Sequence, residues 1–243
     1  RDFTCGTLSY QDHDGTDIAL PNRAAMQAGV NVLAAAAGTV EGLRDGVADF
    51  EPFPPGQDCG NGVLLDHGDG WQTQYCHMKQ GSVAVQVGQA VQTGTVLGQI
   101  GQSGRAEFPH VHLSLRHKGN KLDPFAPDAP TDCGGATNGL WATPIPYQPG
   151  GIIGAGIAPA IPEYAAIKAG LANANLPTDA PALAVWALLY GSQAGDTVQF
   201  SLAGPNGAVL NEQVTLEKPQ AQLFRAVGKK RKGQLWPQGR YSG

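Results

Sequence analysis

Hydrophobic and polar residues alternate along this chain in short runs that end at glycine, proline, asparagine or aspartate, the period-two pattern of strands with one buried face. Gly62 to Asp66 and Trp71 to His77 flank His67-Gly68-Asp69-Gly70, whose turn chemistry predicts a hairpin. Asn31 to Val40 leads into a glycine-bounded strand. Val83 to Val87, Val91 and Val96 to Ile100, punctuated by Gly88, Gly94 and Gly101, read as successive strands joined by tight turns. Val111, Leu113 and Leu115 alternate with polar neighbours in a last strand of this half. Beyond residue 150, Leu183 to Tyr190, Thr197 to Leu202, Ala208 to Leu216 and Gln222 to Val227 are strand-like runs separated by turns such as Gly204-Pro205-Asn206-Gly207. The pattern predicts an all-β protein.

Pro124 to Gly156 is rich in proline, glycine and small residues, which places a boundary there. The expected organisation is a first domain over 1–133, a linker over 134–156 and a β-sandwich-like accessory domain over 157–243. Tyr241-Ser242-Gly243 reads as the start of a further strand, so the second domain reads as cut short. A length of 243 residues suits two modest domains.

Composition narrows the function classes. With 16 basic and 20 acidic residues the formal net charge is −4, the wrong sign for a nucleic-acid footprint. Lys229-Lys230-Arg231-Lys232 is a basic run that reads as a solvated hairpin tip. The apolar stretch Ala182 to Tyr190 falls far short of the roughly 20 residues of a membrane span. The chain starts at Arg1 without a basic-then-apolar leader, which reads as a mature or trimmed form. Cys5, Cys59, Cys76 and Cys133 show no C-x-x-C spacing, so disulfides and an oxidising compartment are expected. Pairing outward from the hairpin turn sets Asn61 opposite Cys76 and makes Cys59 a diagonal neighbour. Of the possible connectivities, Cys59–Cys76 with Cys5–Cys133 is therefore the expected one.

The histidines carry the chemistry. His110 and His112 share one side of an extended strand, with Val111 and Leu113 on the other. His13-Asp14-Gly15-Thr16-Asp17 offers an imidazole and a carboxylate with Gly15 between them to let the chain turn. Two histidines and an aspartate, with a fourth position left for water, are the donor set of a catalytic zinc. No H-E-x-x-H helix supplies a glutamate base, so His77 and one of the His110/His112 pair are the candidates for general base and oxyanion stabiliser. His67 and His117 read as turn or surface residues, and Asp14, Asp66 and Asp69 as turn aspartates.

Three blocks then resemble the lysostaphin-like, LytM-type zinc metallopeptidases: His13-Asp14-Gly15-Thr16-Asp17, Gly70-Trp71-Gln72-Thr73-Gln74-Tyr75-Cys76-His77-Met78 and Pro109-His110-Val111-His112-Leu113, in the family's order. The resemblance covers residues 10 to 126. It implies an antiparallel-sheet metallopeptidase domain in which His13, Asp17 and His112 bind zinc while His77 and His110 act as base and transition-state stabiliser. It also implies a secreted or periplasmic endopeptidase acting on peptide cross-links of peptidoglycan. Tyr75, on the face of His77 by strand parity, is a candidate for lining the substrate groove. Arg105-Ala106-Glu107-Phe108 departs from the family's small-residue loop beside that groove. The alternative is a non-catalytic wall- or partner-binding protein that keeps the zinc-site scaffold.

Overall fold

The computed structural model describes residues 2–10, 13–128, 133, 139–173 and 175–243. The start of the expected linker, 134–138, lies outside them. The chain divides into two compact units, Arg1–Pro146 and Tyr147–Gly243.

The first unit runs β1 (Thr16–Ala19), α1 (Arg23–Ala28), β2 (Asn31–Leu33), β3 (Gly38–Arg44), β4 (Asn61–Gly68), β5 (Trp71–Met78), β6 (Ala90–Val91), β7 (Val96–Gln99), β8 (His110–His117) and β9 (Asn120–Leu122). Its main sheet has seven strands in the order β1-β8-β5-β4-β3-β6, with β9 paired to the outside of β8. All the pairings are antiparallel. A smaller sheet pairs β2 with β7. Alternation sends Val63, Leu65, Tyr75, Val111 and Leu113 to one side of the main sheet, where they join Val32, Val40, Val85, Val91, Leu97 and Ile100 in a buried core. The opposite side of β5 and β8 is left for Gln72, Gln74, Cys76, His112, Ser114 and Arg116, whose pairing across the ladder puts them on one face.

Three local expectations change. The β4–β5 hairpin turns at Asp69-Gly70, and bulges at each end set Asn61 opposite Met78 rather than Cys76. Cys59 and Cys76 are nevertheless disulfide-bonded, as are Cys5 and Cys133. Val83 to Val87 is extended chain held by single hydrogen bonds such as Ala84 N–H to the Leu97 carbonyl (2.9 Å), not a laddered strand. The short helix α1 is capped by the Asn22 side chain, which accepts from Ala25 N–H at 2.9 Å.

The second unit runs β10 (Gly151–Ala158), α2 (Tyr164–Ala169), β11 (Ala182–Ser192), β12 (Thr197–Gly204), β13 (Gly207–Thr215) and β14 (Gln220–Lys230). The sheets β10-β11-β14 and β12-β13 share a core built from Leu183, Val185, Leu189, Phe200, Leu202, Leu210, Leu223 and Val227. Gly151 to Gly156, expected in the linker, belong instead to β10, which pairs along β11. Glycine-rich composition hid a strand there. Lys229 and Lys230 end β14 rather than tipping a hairpin. Ser242 forms a single bridge to Ala203.

Candidate metal centre

Strands β1 and β8 pair with Asp17 directly opposite His112, so both side chains leave the same face of the sheet. Just before β1 the chain passes so close to β8 that a Cβ on Gly15 would stand 2.5 Å from His112 Nε2 and 2.6 Å from the Leu113 carbonyl oxygen. Only glycine permits that approach, and it brings His13 back over Asp17.

The result is a convergence on one oxygen. Asp17 Oδ1 lies 2.8 Å from His112 Nδ1 and 3.1 Å from His13 Nε2, and His110 Nε2 follows at 3.5 Å. One ligand atom each from His13, Asp17 and His112 can be chosen within 4.8 Å of one another. Among the described residues, His13 Nε2 is buried and has no hydrogen-bond partner. Burial works against the Asp17 charge, but the hydrogen bond to His112 and the closeness of the His13 and His110 imidazoles outweigh it and hold the carboxyl well below the usual carboxylate range. A permanent carboxylate facing two ring nitrogens, one of them an orphan, fits a divalent cation.

His112 is oriented from behind. Its Nε2 lies 3.1 Å from Ser114 Oγ and 3.3 Å from Asp14 Oδ1, and the other Asp14 oxygen pairs with Lys121 on β9. Asp14 is therefore more than a turn residue. Without a cation Nδ1 donates to Asp17; were one bound, a proton on Nε2 turned toward these acceptors would free the Nδ1 lone pair for it.

His77 reaches the site by a break in strand parity. Cys76 is the residue opposite His112, so regular alternation would send His77 to the core side with Tyr75. His77 instead adopts φ +61°, its N–H donating to the Cys59 carbonyl at 2.8 Å. Its ring then stands with centroids 4.7 Å from that of His110 and 6.0 Å from that of His112. This left-handed conformation is strained for a side-chain-bearing residue and re-aims the imidazole. His77 Nδ1 meets the Ser103 carbonyl at 2.9 Å and His110 Nδ1 the Phe108 carbonyl at 2.8 Å. A carbonyl only accepts, so both rings carry their proton on Nδ1 and present Nε2 as a lone pair. Burial, helped by the neighbouring His110, pulls the His77 pKa down to about 4. Burial also lowers that of His110, while Asp17 and the Phe108 carbonyl oppose the shift. Both are neutral bases at pH 7.

Residues 11–124 match the family model described as peptidase family M23. This stretch is a peptidase M23 domain. Over 106 residues, 44% of this chain and 24% of the relative, it is 31% identical to the DD-carboxypeptidase/endopeptidase Mpg of Neisseria meningitidis. Over 124 residues, 51% of this chain and 25% of the relative, it is 30% identical to the peptidoglycan DD-endopeptidase ShyA of Vibrio cholerae. The matched segments thus span about a quarter of those relatives' lengths. A mutant catalytic domain of the prophage-encoded M23 protein EnpA from Enterococcus faecalis aligns with a TM-score of 0.37 at 26% identity, covering 48% of this chain and 79% of that one.

Within the M23 domain, His13, Asp17, His77, His110 and His112 lie together in space. Tyr75 does not join them. It is 3% exposed in the core, and its hydroxyl accepts from Ala35 N–H at 2.8 Å and from the Thr73 hydroxyl at 3.2 Å. The parity argument that paired it with His77 fails at the positive φ. Cys76 lies on the site's face, but its bond to Cys59 removes the thiolate. His67 is fixed between the Ala37 carbonyl and Thr73 Oγ, both at 2.7 Å, and His117 stacks on Trp71 at 4.2 Å. Sequence reasoning passed over Tyr10, whose ring lies 4.5 Å from that of His13 and whose hydroxyl is 3.5 Å from Asp17 Oδ2. Burial and the adjacent Asp17 push its pKa up to about 12, so it stays a donor.

Proposed function

We propose that the M23 domain is a zinc-dependent endopeptidase that hydrolyses peptide cross-links of peptidoglycan. The observation that carries this reading is the approach of His13 Nε2 and His112 Nδ1 to one Asp17 oxygen with two neutral imidazoles alongside. His13, Asp17 and His112 would hold the metal, which when bound polarises a substrate carbonyl and lowers the pKa of water toward about 7. His77 is the better general base, because burial keeps it neutral and its Nδ1 proton is fixed on Ser103, leaving Nε2 to accept a proton from the attacking water. Asp17 beside Nε2 makes the protonated form of His110 the more tolerable of the two, and on taking up a proton during the reaction His110 would stabilise the developing oxyanion. The Tyr10 hydroxyl, a donor at the mouth of the site, can orient a substrate carbonyl.

The likeness to relatives named as peptidoglycan endopeptidases supports the substrate. The two disulfides support a secreted or periplasmic location. Among the described residues no helix is long and apolar enough to cross a membrane. The second unit is assigned an accessory role. A digest of cross-linked muropeptides resolved by mass tests the reading. The expected result is release of uncross-linked products, abolished by a chelator, restored by zinc and reduced at least about 100-fold by His110→Ala. Intact muropeptides after digestion with zinc-loaded protein refute it.

A further inference from the structure

The face of the sheet that carries the metal cluster continues past it along β8. From His112 the same side presents Ser114 and then Arg116, and across β5 it presents Gln74 and Gln72, their ladder partners. This floor is polar rather than apolar, with Gln72, Gln74 and Arg116 half-buried and Ser114 buried beneath them. The Arg116 guanidinium donates from Nη2 to Gln74 Oε1 at 2.8 Å. On its other flank the ladder partner is Lys121, a second cation. Lys121 has a carboxylate, Asp14. Arg116 has none among the described residues, and Gln72, its partner on β5, is already bonded to Glu41 at 2.6 Å.

A half-buried guanidinium set opposite a lysine without a counter-ion of its own is unfavourable in the free protein. Its planar fork matches a carboxylate in a way that no single-point cation does. Four residues of strand separate it from His112, about 13 Å at a strand's rise. That is the reach of three or four residues of an extended peptide lying along β8.

We propose that Arg116 binds a carboxylate of the substrate, so that this domain selects acidic peptides, such as cross-linked stem peptides with free carboxyl groups, over neutral glycine bridges or elastin-like segments. This rests on the peptidase reading above and adds the substrate class. Arg116 acts in recognition and makes no contact with the reacting atoms.

The test separates binding from turnover. The full chain carrying His110→Ala is titrated with a cross-linked stem peptide and with the same peptide amidated at its carboxyl groups. With Arg116 present, amidation weakens binding about tenfold or more. In the Arg116→Met background the two peptides bind alike, and Arg116→Lys restores part of the preference. Zinc content and circular dichroism stay unchanged in both variants. Equal binding of the two peptides with Arg116 present, a preference that survives Arg116→Met, or no binding of either peptide overturns the proposal. In the protein with His110 intact, Arg116→Met raises KM for the acidic peptide and leaves kcat within about twofold. Absence of cleavage would sink the hydrolase reading alone, since the binding contrast still decides the role of Arg116.

Discussion

His77 and Tyr75 sit two residues apart on one strand and lead opposite lives. Regular alternation makes them companions, and the positive φ at His77 separates them, sending one imidazole to the histidine–aspartate cluster and leaving the phenol in the core. Two predictions follow from that split. Tyr75→Phe removes a buried hydroxyl that accepts from Ala35 N–H and costs about 0.5–1.5 kcal/mol in denaturant unfolding, while zinc content and kcat of the folded protein stay near the parent's. His77→Ala keeps one equivalent of zinc and loses at least about 100-fold in kcat, a contrast read by parallel metal analysis and kinetics. Acid acts on the same residue. A histidine whose folded pKa lies below its unfolded value stabilises the fold above the unfolded value, and that contribution disappears as pH falls through the folded value of about 4. Zinc-free protein should therefore show a falling urea midpoint between pH 6.5 and 4, and His77→Gln should flatten that slope.

At the scale of strands, the site is made by β1 and β8 in register and by the irregular end of β5. The first was legible in the sequence. His110 and His112 at spacing two share a face because strand geometry is periodic, and Gly15 between His13 and Asp17 marks a turn able to bring that imidazole and carboxylate together. The second was not, since a single residue in the left-handed region leaves no periodic trace, and the Cys59 carbonyl that receives the His77 N–H comes from a loop 18 residues upstream. The helix α1 escaped notice because six residues are too few for helical periodicity, although Asn22 is a recognisable cap. Strand β10 was lost in glycine-rich composition. Asp14, read as a turn residue, meets His112 only through the pairing of β1 with β8. Gly15→Ala tests the element-level account: a methyl group driven into His112 Nε2 and the Leu113 carbonyl should separate β1 from β8 and abolish zinc binding in a competition titration. Retention of tight zinc binding would contradict the close approach.

Viewed as a whole molecule, the chain places all five residues of the cluster in the first unit, which has its own core and both disulfides. The second unit has a separate core and none of the chain's histidines. Residues 1–146 expressed alone should bind zinc and cleave soluble cross-linked peptides at a rate close to that of the full chain. What depends on the second unit would then appear only on intact sacculi. Division of the chain was visible in composition; its position was not, because β10 satisfies its backbone on β11 while looking like linker.

The central claim is that two imidazoles and one carboxylate hold a zinc ion and leave a corner of its coordination open. X-ray absorption at the zinc edge of the loaded protein tests this most directly. The account predicts two imidazole nitrogens and one carboxylate oxygen from the protein, together with a light-atom ligand that a small competing anion replaces. A sulfur ligand, a fourth protein donor that no anion displaces, or failure to load zinc at all would contradict it.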